Sequence, residues 1–440
     1  MRRIIMTKQI IQVDEKPPIQ QAIPLSLQHL FAMFSASVLV PNLLGINPAV
    51  VLFMNGIGTL LYILITKRKA PAYLGSSFAF IAPTLLIMQT KGLGYAYALG
   101  GFVVTGALFC LIALVIKFFG TKWIDAILPP AAMGSVVALI GLELSGTAAK
   151  MGGLILTDTY TKIDPKQVTV FLITLCVAVF GSVLFRKFFA VIPILIAIIV
   201  GYFSAWAMGM IDFSKIAAAP VFAVPNFQLA KFNWDAISII LPATLVVVSE
   251  HIGHQIVTGK IIGHDIIKDP GLHRTMLGDG LSTMISGLFG SVPTTTYGEN
   301  IGVMAMTGVY SVWVIAGAAV FSIIISFFGK VSAVIQYIPA PVMGGVSFLL
   351  YGMIAASGLR LMVDQKVDFS RSRNLAMASV VLVTGLSGAF IQIGHVKLTG
   401  MSLGAVVAML LGLIFWIIDK FHAANDYNDE DPEEAVPAEK

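Results

Sequence analysis

Apolar stretches of roughly 17–25 residues, the length that crosses a hydrocarbon layer as a helix, follow one another along almost the whole chain. Short polar loops part them. A membrane barrel would instead alternate apolar and polar positions. The pattern predicts fourteen spans, near 23–45, 48–66, 73–89, 97–118, 124–146, 168–186, 189–210, 236–258, 276–291, 296–308, 310–329, 336–356, 375–392 and 398–419. The third and the tenth are short and broken. The tenth belongs to the stretch 291–308, S-V-P-T-T-T-Y-G-E-N-I-G-V-M-A-M-T-G. A carboxylate, a run of three threonines, a proline and three glycines are costly in lipid, and irregular backbone persists there only where protein buries it or it lines a wet cavity. The reading is an extended segment to about Tyr297, then a half-helix that starts near Gly298 and Glu299. Broken spans of this kind mark the substrate site of secondary transporters.

The pattern also repeats. P-P-A-A-M-G-S-V (129–136) recurs as P-A-P-V-M-G-G-V (339–346), and F-F-G (118–120) as F-F-G (327–329). S-L-Q-H (26–29) echoes V-S-E-H (248–251), which pairs Gln28 with Glu250. The same offset of 222 pairs Ser77 and Phe78 with Glu299 and Asn300. The chain therefore divides into a cytoplasmic segment 1–22, a seven-span repeat 23–210, a second repeat 236–419, and an acidic cytoplasmic tail 420–440. Seven is odd, so the second repeat enters the membrane inverted, as in alternating-access carriers. With the N-terminus inside, the outer loops hold only Lys91, Lys150, Lys162, Lys166, Lys215, Lys231, Lys330 and Lys397 of the 28 Lys and Arg residues. This positive-inside bias supports cytoplasmic termini.

Composition agrees: 57% of the 440 residues are hydrophobic and 12% are charged, against roughly 25% charged in a soluble domain. The net charge of +5 is spread over short loops, which suggests no nucleic-acid partner. Cys110 and Cys176 both fall in apolar spans, so no disulfide framework or metal site is indicated. No cleavable signal peptide is read in the polar residues 1–22.

Within the spans, ionisable residues are few: His29, Glu250, His251, His254 and Glu299. Glu143 and Asp279 fall near predicted span ends and read as interfacial. In S-E-H-I-G-H-Q, Glu250 and His254 are four apart and share one helix face. Glu299 lies in the broken span that would face them. His29 and His251 read equally well as packing residues, while His264, His273, His395 and His422 fall in loops or the tail. With two carboxylates and no Lys or Arg in span interiors, an anionic cargo would be repelled. The cargo should be cationic, or neutral and rich in N–H donors. Carboxylates accept hydrogen bonds from ring N–H groups, and half-helix amides at Phe78 and Gly298 can donate to ring carbonyls. Phe78, Tyr297 and Tyr351 are available to flank a flat ring, so a planar lactam suits the set. A carboxylate in a dry site can take up and release protons near neutral pH. That suits Glu250 or Glu299 to proton coupling, with His254 as modulator. E-H-I-G-H lacks the H-E-x-x-H metal spacing and an evident third ligand, so metalloenzyme chemistry is set aside.

The signature E-N-I-G-V-M-A-M-T-G (299–308) resembles that of the nucleobase–ascorbate transporters, also called nucleobase:cation symporter-2 proteins. S-L-Q-H-L-F-A-M-F (26–34), P-A-Y-L-G-S-S-F-A-F (71–80), E-H-I-G-H (250–254), D-P-G-L-H-R (269–274) and T-Y-G-E-N-I-G-V-M-A (296–305) resemble its bacterial uracil branch. The resemblance implies a fourteen-span membrane fold with a core domain of spans 1–4 and 8–11 and a gate domain of spans 5–7 and 12–14. It implies proton-coupled uracil import, no cofactor beyond the proton gradient, and a homodimer formed through gate domains. Carried over by motif, Glu250 and Glu299 would bind substrate by side chain and Phe78 and Gly298 by backbone amide. His254 would modulate coupling, and Tyr297 and Tyr351 would line the pocket. A purine carrier of the same family, an anion exchanger of the same architecture and a passive channel are the alternatives. An enzyme is the weakest reading.

Overall fold

The computed structural model describes residues 10–156, 162–393, 396–421 and 423. Residues 1–9, His395, His422 and the acidic tail from 424 lie outside the described residues, and so do the expectations placed on them. The first half runs α1 (Ile19–Leu44), α2 (Pro48–Ile65), a three-residue strand β1 (Leu74–Ser76), a 3-10 turn (Phe78–Phe80) and α3 (Ile81–Gln89). It continues through α4 (Tyr95–Phe119), α5 (Lys122–Ile127), α6 (Pro130–Met151), α7 (Pro165–Leu184), α8 (Pro193–Ala207) and α9 (Phe213–Ala218). The second half runs α10 (Trp234–Ile262), α11 (Leu272–Leu288), β2 (Thr294–Thr296), α12 (Gly298–Thr307), α13 (Val312–Ser326), α14 (Gly329–Gln336) and α15 (Ala340–Asp364). Then come α16 (Ser372–Leu386), a hairpin of β3 (Phe390–Ile393) and β4 (Val396–Thr399), and α17 (Gly400–Lys420).

Among the described residues, eight helices are long and apolar enough to cross a membrane: α1, α2, α4, α6, α7, α10, α15 and α17. Proline and glycine set many boundaries. Pro48, Pro130, Pro165 and Pro193 each occupy the first helical position, where the missing N–H costs nothing. Gly45, Gly263 and Gly308 close helices in the left-handed conformation.

The span read at 124–146 is in fact two helices, α5 and α6, because Pro129 and Pro130 cannot continue a helix through Leu128. Pro339 likewise separates α14 from α15. The span read to 392 stops at Leu386, and the hairpin that follows gives no periodic signal long enough to read. Ahead of α1, residues 11–15 lie beside 308–312. Ile11 N donates to Gly308 O at 3.0 Å, Tyr310 N to Ile11 O at 2.8 Å and Val312 N to Val13 O at 3.0 Å.

Two sets of helices pack internally. α2 lies against α11 and α13, and α4 against α10 and α11; α15 lies against α6 and α7, and α6 against α16 and α17. α6 and α15 run antiparallel with their backbones nearly touching. A Cβ on Gly141 would meet Tyr351 O at 2.1 Å, and one on Gly358 would meet Gly134 O at 2.5 Å. Small residues permit such close crossings in lipid. β1 and β2 pair within the first set, against α1, α2, α10 and α11.

Candidate functional site

The short antiparallel ladder of β1 and β2 pairs Leu74 with Thr296, Gly75 with Thr295 and Ser76 with Thr294. It extends one step each way: Ser77 N donates to Pro293 O at 2.9 Å and Tyr297 N to Tyr73 O at 3.0 Å. The outer edges of so small a sheet would be unpaired in hydrocarbon, which costs several kcal/mol per group. Threonines satisfy them. Thr59 Oγ1 of α2 accepts from Leu74 N at 2.9 Å, and Thr283 Oγ1 of α11 accepts from Thr294 N at 3.1 Å and donates to Thr294 O at 3.0 Å. Neither threonine stands out in the sequence, since Thr within an apolar helix is ordinary.

The ladder is symmetric about Gly75 and Thr295. Ser77 thus plays the part of Tyr297, both being extended residues at the start of a helical turn (ψ 126° and 124°). Phe78 then matches Gly298, two positions from the pairing with Asn300 that the offset of 222 suggested; the offset drifts between landmarks because loop lengths differ. α12 starts at Gly298 as the sequence predicts, and Tyr297 before it gives no side-chain cap. The amide of a first helical residue lacks an intrahelical partner and can receive a ligand or water.

A cleft opens beside this crossing. The whole of 291–297 is buried, yet Gly298 is exposed, and Phe78, Glu250, His254 and Glu299 are half-buried. α10 packs against α3, the Phe78–Phe80 turn, β2 and α12, so it closes one wall. α10, which carries Glu250, packs on α12, whose first turn holds Glu299. His254 Nδ1 lies 3.1 Å from Thr296 Oγ1, and a Cβ on Gly298 would meet His254 Nε2 at 3.4 Å. The cleft thus brings together two carboxylates, one imidazole, a helix N-terminus and an aromatic ring.

The two tyrosines lie elsewhere. Tyr297 is 3% exposed; its ring covers Gly75, where a Cβ would come within 2.2 Å, and its hydroxyl donates to Ser76 O at 3.1 Å. The ring props the crossing instead of lining the pocket. Tyr351 is fully buried and meets Phe78 edge to face, with centroids 6.3 Å apart, so it backs the cleft wall without surfacing in it.

Asp279 is not interfacial. It is completely buried on α11 and lies 2.9 Å from His251 Nδ1. Placing the ninth span at 276–291 put Asp279 near its start, whereas α11 begins at Leu272 and carries Asp279 two turns inside. His29 packs on Asn300 of the signature stretch: Asn300 Nδ2 lies 3.1 Å from His29 Nδ1 and donates to His29 O at 3.0 Å. Glu143 Oε2 accepts from Met401 N at 2.9 Å and so serves the first turn of α17, away from the cleft.

The sequence profile of the Permease family (Xan_ur_permease) matches residues 20–394. The uracil permease of Paenibacillus larvae is 56% identical over 96% of this chain and 100% of that protein. That of Escherichia coli K12 is 57% identical over 94% of this chain and 95% of that protein. Among solved structures, the transmembrane domain of a cyanobacterial bicarbonate transporter, BicA, superposes with a TM-score of 0.63 at 14% identity, covering 93% of this chain and 100% of that one. The murine anion transporter Slc26a9 in its inward-facing state gives 0.70 at 11% identity, covering 92% and 69%. At that identity the likeness is one of fold. The chain belongs to the Permease family.

Proposed function

We propose that this protein is a proton-coupled symporter that imports uracil across the cytoplasmic membrane by alternating access. The observation that carries the reading is the identity of 56–57% with uracil permeases along nearly the full length of both chains. The cleft supports it chemically. Glu250 and Glu299 accept hydrogen bonds from the ring N–H groups of a planar lactam. The free amides at Phe78 and Gly298 donate to its carbonyls, and the Phe78 ring, backed by Tyr351, lies along its face. One of the two carboxylates takes up the coupled proton, with His254 as modulator.

In this reading the helices make fourteen spans in two inverted sets of seven, with α3 and α12 as the half-length tenants of spans 3 and 10. Spans 1–4 and 8–11 form the core that carries the cleft, and spans 5–7 and 12–14 form the gate. Both termini are cytoplasmic, two copies associate through their gates, and the proton gradient supplies the energy. The test is labelled-uracil uptake into sealed proteoliposomes with an alkaline interior, with and without a protonophore and with excess xanthine. Accumulation that collapses with the protonophore and ignores xanthine supports the assignment. Block by xanthine would move it to a purine or broad carrier, and no accumulation by folded protein would remove it.

A further inference from the structure

A buried polar stripe runs along α10 on the face adjoining the one that carries Glu250 and His254. His251, Gln255 and Thr258 follow one another at helical spacing, none more than 1% exposed. His251 bridges to α11 by both ring nitrogens: Nδ1 lies 2.9 Å from Asp279 Oδ2, and Nε2 lies 3.0 Å from Thr275 Oγ1. Gln255 Oε1 accepts from the Tyr62 hydroxyl of α2 at 3.2 Å. The proposed binding chemistry uses none of these groups, yet His251 adjoins Glu250 in the chain.

Thr275 Oγ1 also lies 3.0 Å from Leu272 O, to which it can give its one hydrogen. In that arrangement it accepts from His251, and the imidazole carries a hydrogen on Nε2. The other ring nitrogen faces a carboxylate oxygen. If Asp279 is ionised, Nδ1 must carry a hydrogen; if Nδ1 is bare, the hydrogen sits on Oδ2. Either way one proton lies between the two atoms, and the pair has no net charge. A lone ionised carboxylate at that depth would be severely penalised. Asp279 Oδ1 has no hydrogen-bond partner among the described residues, so the balance rests on His251.

Asp279 of α11 contacts His251, the residue next to Glu250 in the chain, and Glu299 stands in the first turn of α12, which packs on α10. His251 and His254 flank Glu250 on α10, Tyr62 of α2 donates to Gln255, and Tyr297 donates to Ser76 O. Asp279 is the one whose charge the fold cancels locally.

We propose that His251 and Asp279 share a single proton and act as one neutral positioning unit, which holds α10 on α11 and screens Glu250 from the Asp279 charge. The proposal rests on the proton-coupled reading above, and the experiment separates the two.

Uracil uptake into proteoliposomes is measured across pH for the wild type, His251→Asn, Asp279→Asn and the double variant, with thermal melting to confirm folding. Asparagine at 251 can still donate to Asp279 but cannot balance its charge. An uncompensated anion favours the protonated form of a neighbouring carboxyl, so the pH midpoint of uptake moves to the alkaline side by about one unit. Asparagine at 279 donates to a neutral imidazole and leaves the unit uncharged, so its midpoint stays with the wild type. The double variant returns to the same midpoint. Equal losses of rate in both single variants with no shift in His251→Asn would overturn the proposal and leave a merely structural contact.

Should a variant fail to fold or transport, nitrogen-15 spectra of histidine-labelled wild type in nanodiscs decide, with His251→Gln for assignment. Nε2 carrying its hydrogen throughout, with no titration of His251, supports the shared proton. A bare Nε2, or titration across the range in which uptake changes, removes it. Wild-type uptake indifferent to pH and protonophore would instead sink the symport reading, and the spectra would still judge the pair.

Discussion

Glu250 projects into the cleft from a helix whose neighbouring face is committed to α11, so its carboxylate can be removed without dismantling the packing around it. Glu250→Ala is expected to weaken uracil binding about tenfold to a hundredfold, the value of one hydrogen bond to a charged acceptor at roughly 1.5–3 kcal/mol. Calorimetry on the purified variant measures this, and unchanged affinity would remove Glu250 from the site. Glu299→Gln keeps an acceptor oxygen and removes a negative charge near Glu250. It is expected to bind uracil with the pH midpoint of uptake moved to the acid side, read from binding and transport measured side by side. The residues behind these predictions are legible in the sequence because a carboxylate in an apolar run is rare for a physical reason. Asp279 was equally conspicuous but misplaced. Its meaning depends on where α11 begins, and residues 267–271, a distorted turn with a cis Asp269-Pro270 peptide, do not announce a helix start at Leu272. The His251 contact spans 28 positions and two helices, and periodicity carries no information on such pairs.

At the scale of elements, the crossing of β1 and β2 separates two glycines with opposite roles. Gly75 has the Tyr297 ring against its Cα, so Gly75→Ala forces the crossing apart and is expected to cost about 1–3 kcal/mol of stability, seen as a lowered Tm. Gly298 has ordinary space around it, with His254 Nε2 nearest at 3.4 Å. Gly298→Ala is therefore expected to melt with the wild type and yet lose uracil affinity, because its methyl group enters the cleft. Equal melting of both variants would contradict the assignment of Gly75 to the crossing. The segment 11–15 gives a second test at this scale. It ties the C-terminal end of α12 to the start of α13 through the Ile11, Val13, Gly308 and Tyr310 backbone. Ile11→Pro removes the donor to Gly308 O and should speed hydrogen exchange at Tyr310 and Val312, whose amides donate to Ile11 O and Val13 O, while leaving exchange in α6 and α15 unaltered. Polar residues ahead of a first span give no hint of such a tie, since a backbone-paired strap needs no particular side chains.

Across the whole molecule, the succession of apolar spans was readable because it is written in landmarks that physics makes unambiguous: proline pairs, glycines and broken apolar runs. How the two sets of helices meet was not readable, because that interface consists of single contacts between distant positions. Two of them bracket the cleft. Phe78 of the broken third span meets Tyr351 of α15, and a Cβ on Gly253 of α10 would lie 3.3 Å from Leu361 Cδ1 of α15. If transport proceeds by movement of core against gate, these contacts must break and re-form in each cycle, whereas the close glycine-lined crossing of α6 and α15 within the gate must not. Cysteines at 253 and 361, in a background with Cys110 and Cys176 replaced by alanine, can be bridged by a short thiol crosslinker. Bridging should stop uptake while uracil binding persists, and a reducible linker should restore uptake on reduction. The same linker between cysteines at 171 and 348, where the Phe171 and Phe348 rings meet edge to face across α7 and α15, should leave uptake running. Full uptake with the 253–361 bridge intact would mean that α10 and α15 do not part during the cycle, and the division into core and gate would then have to be drawn elsewhere.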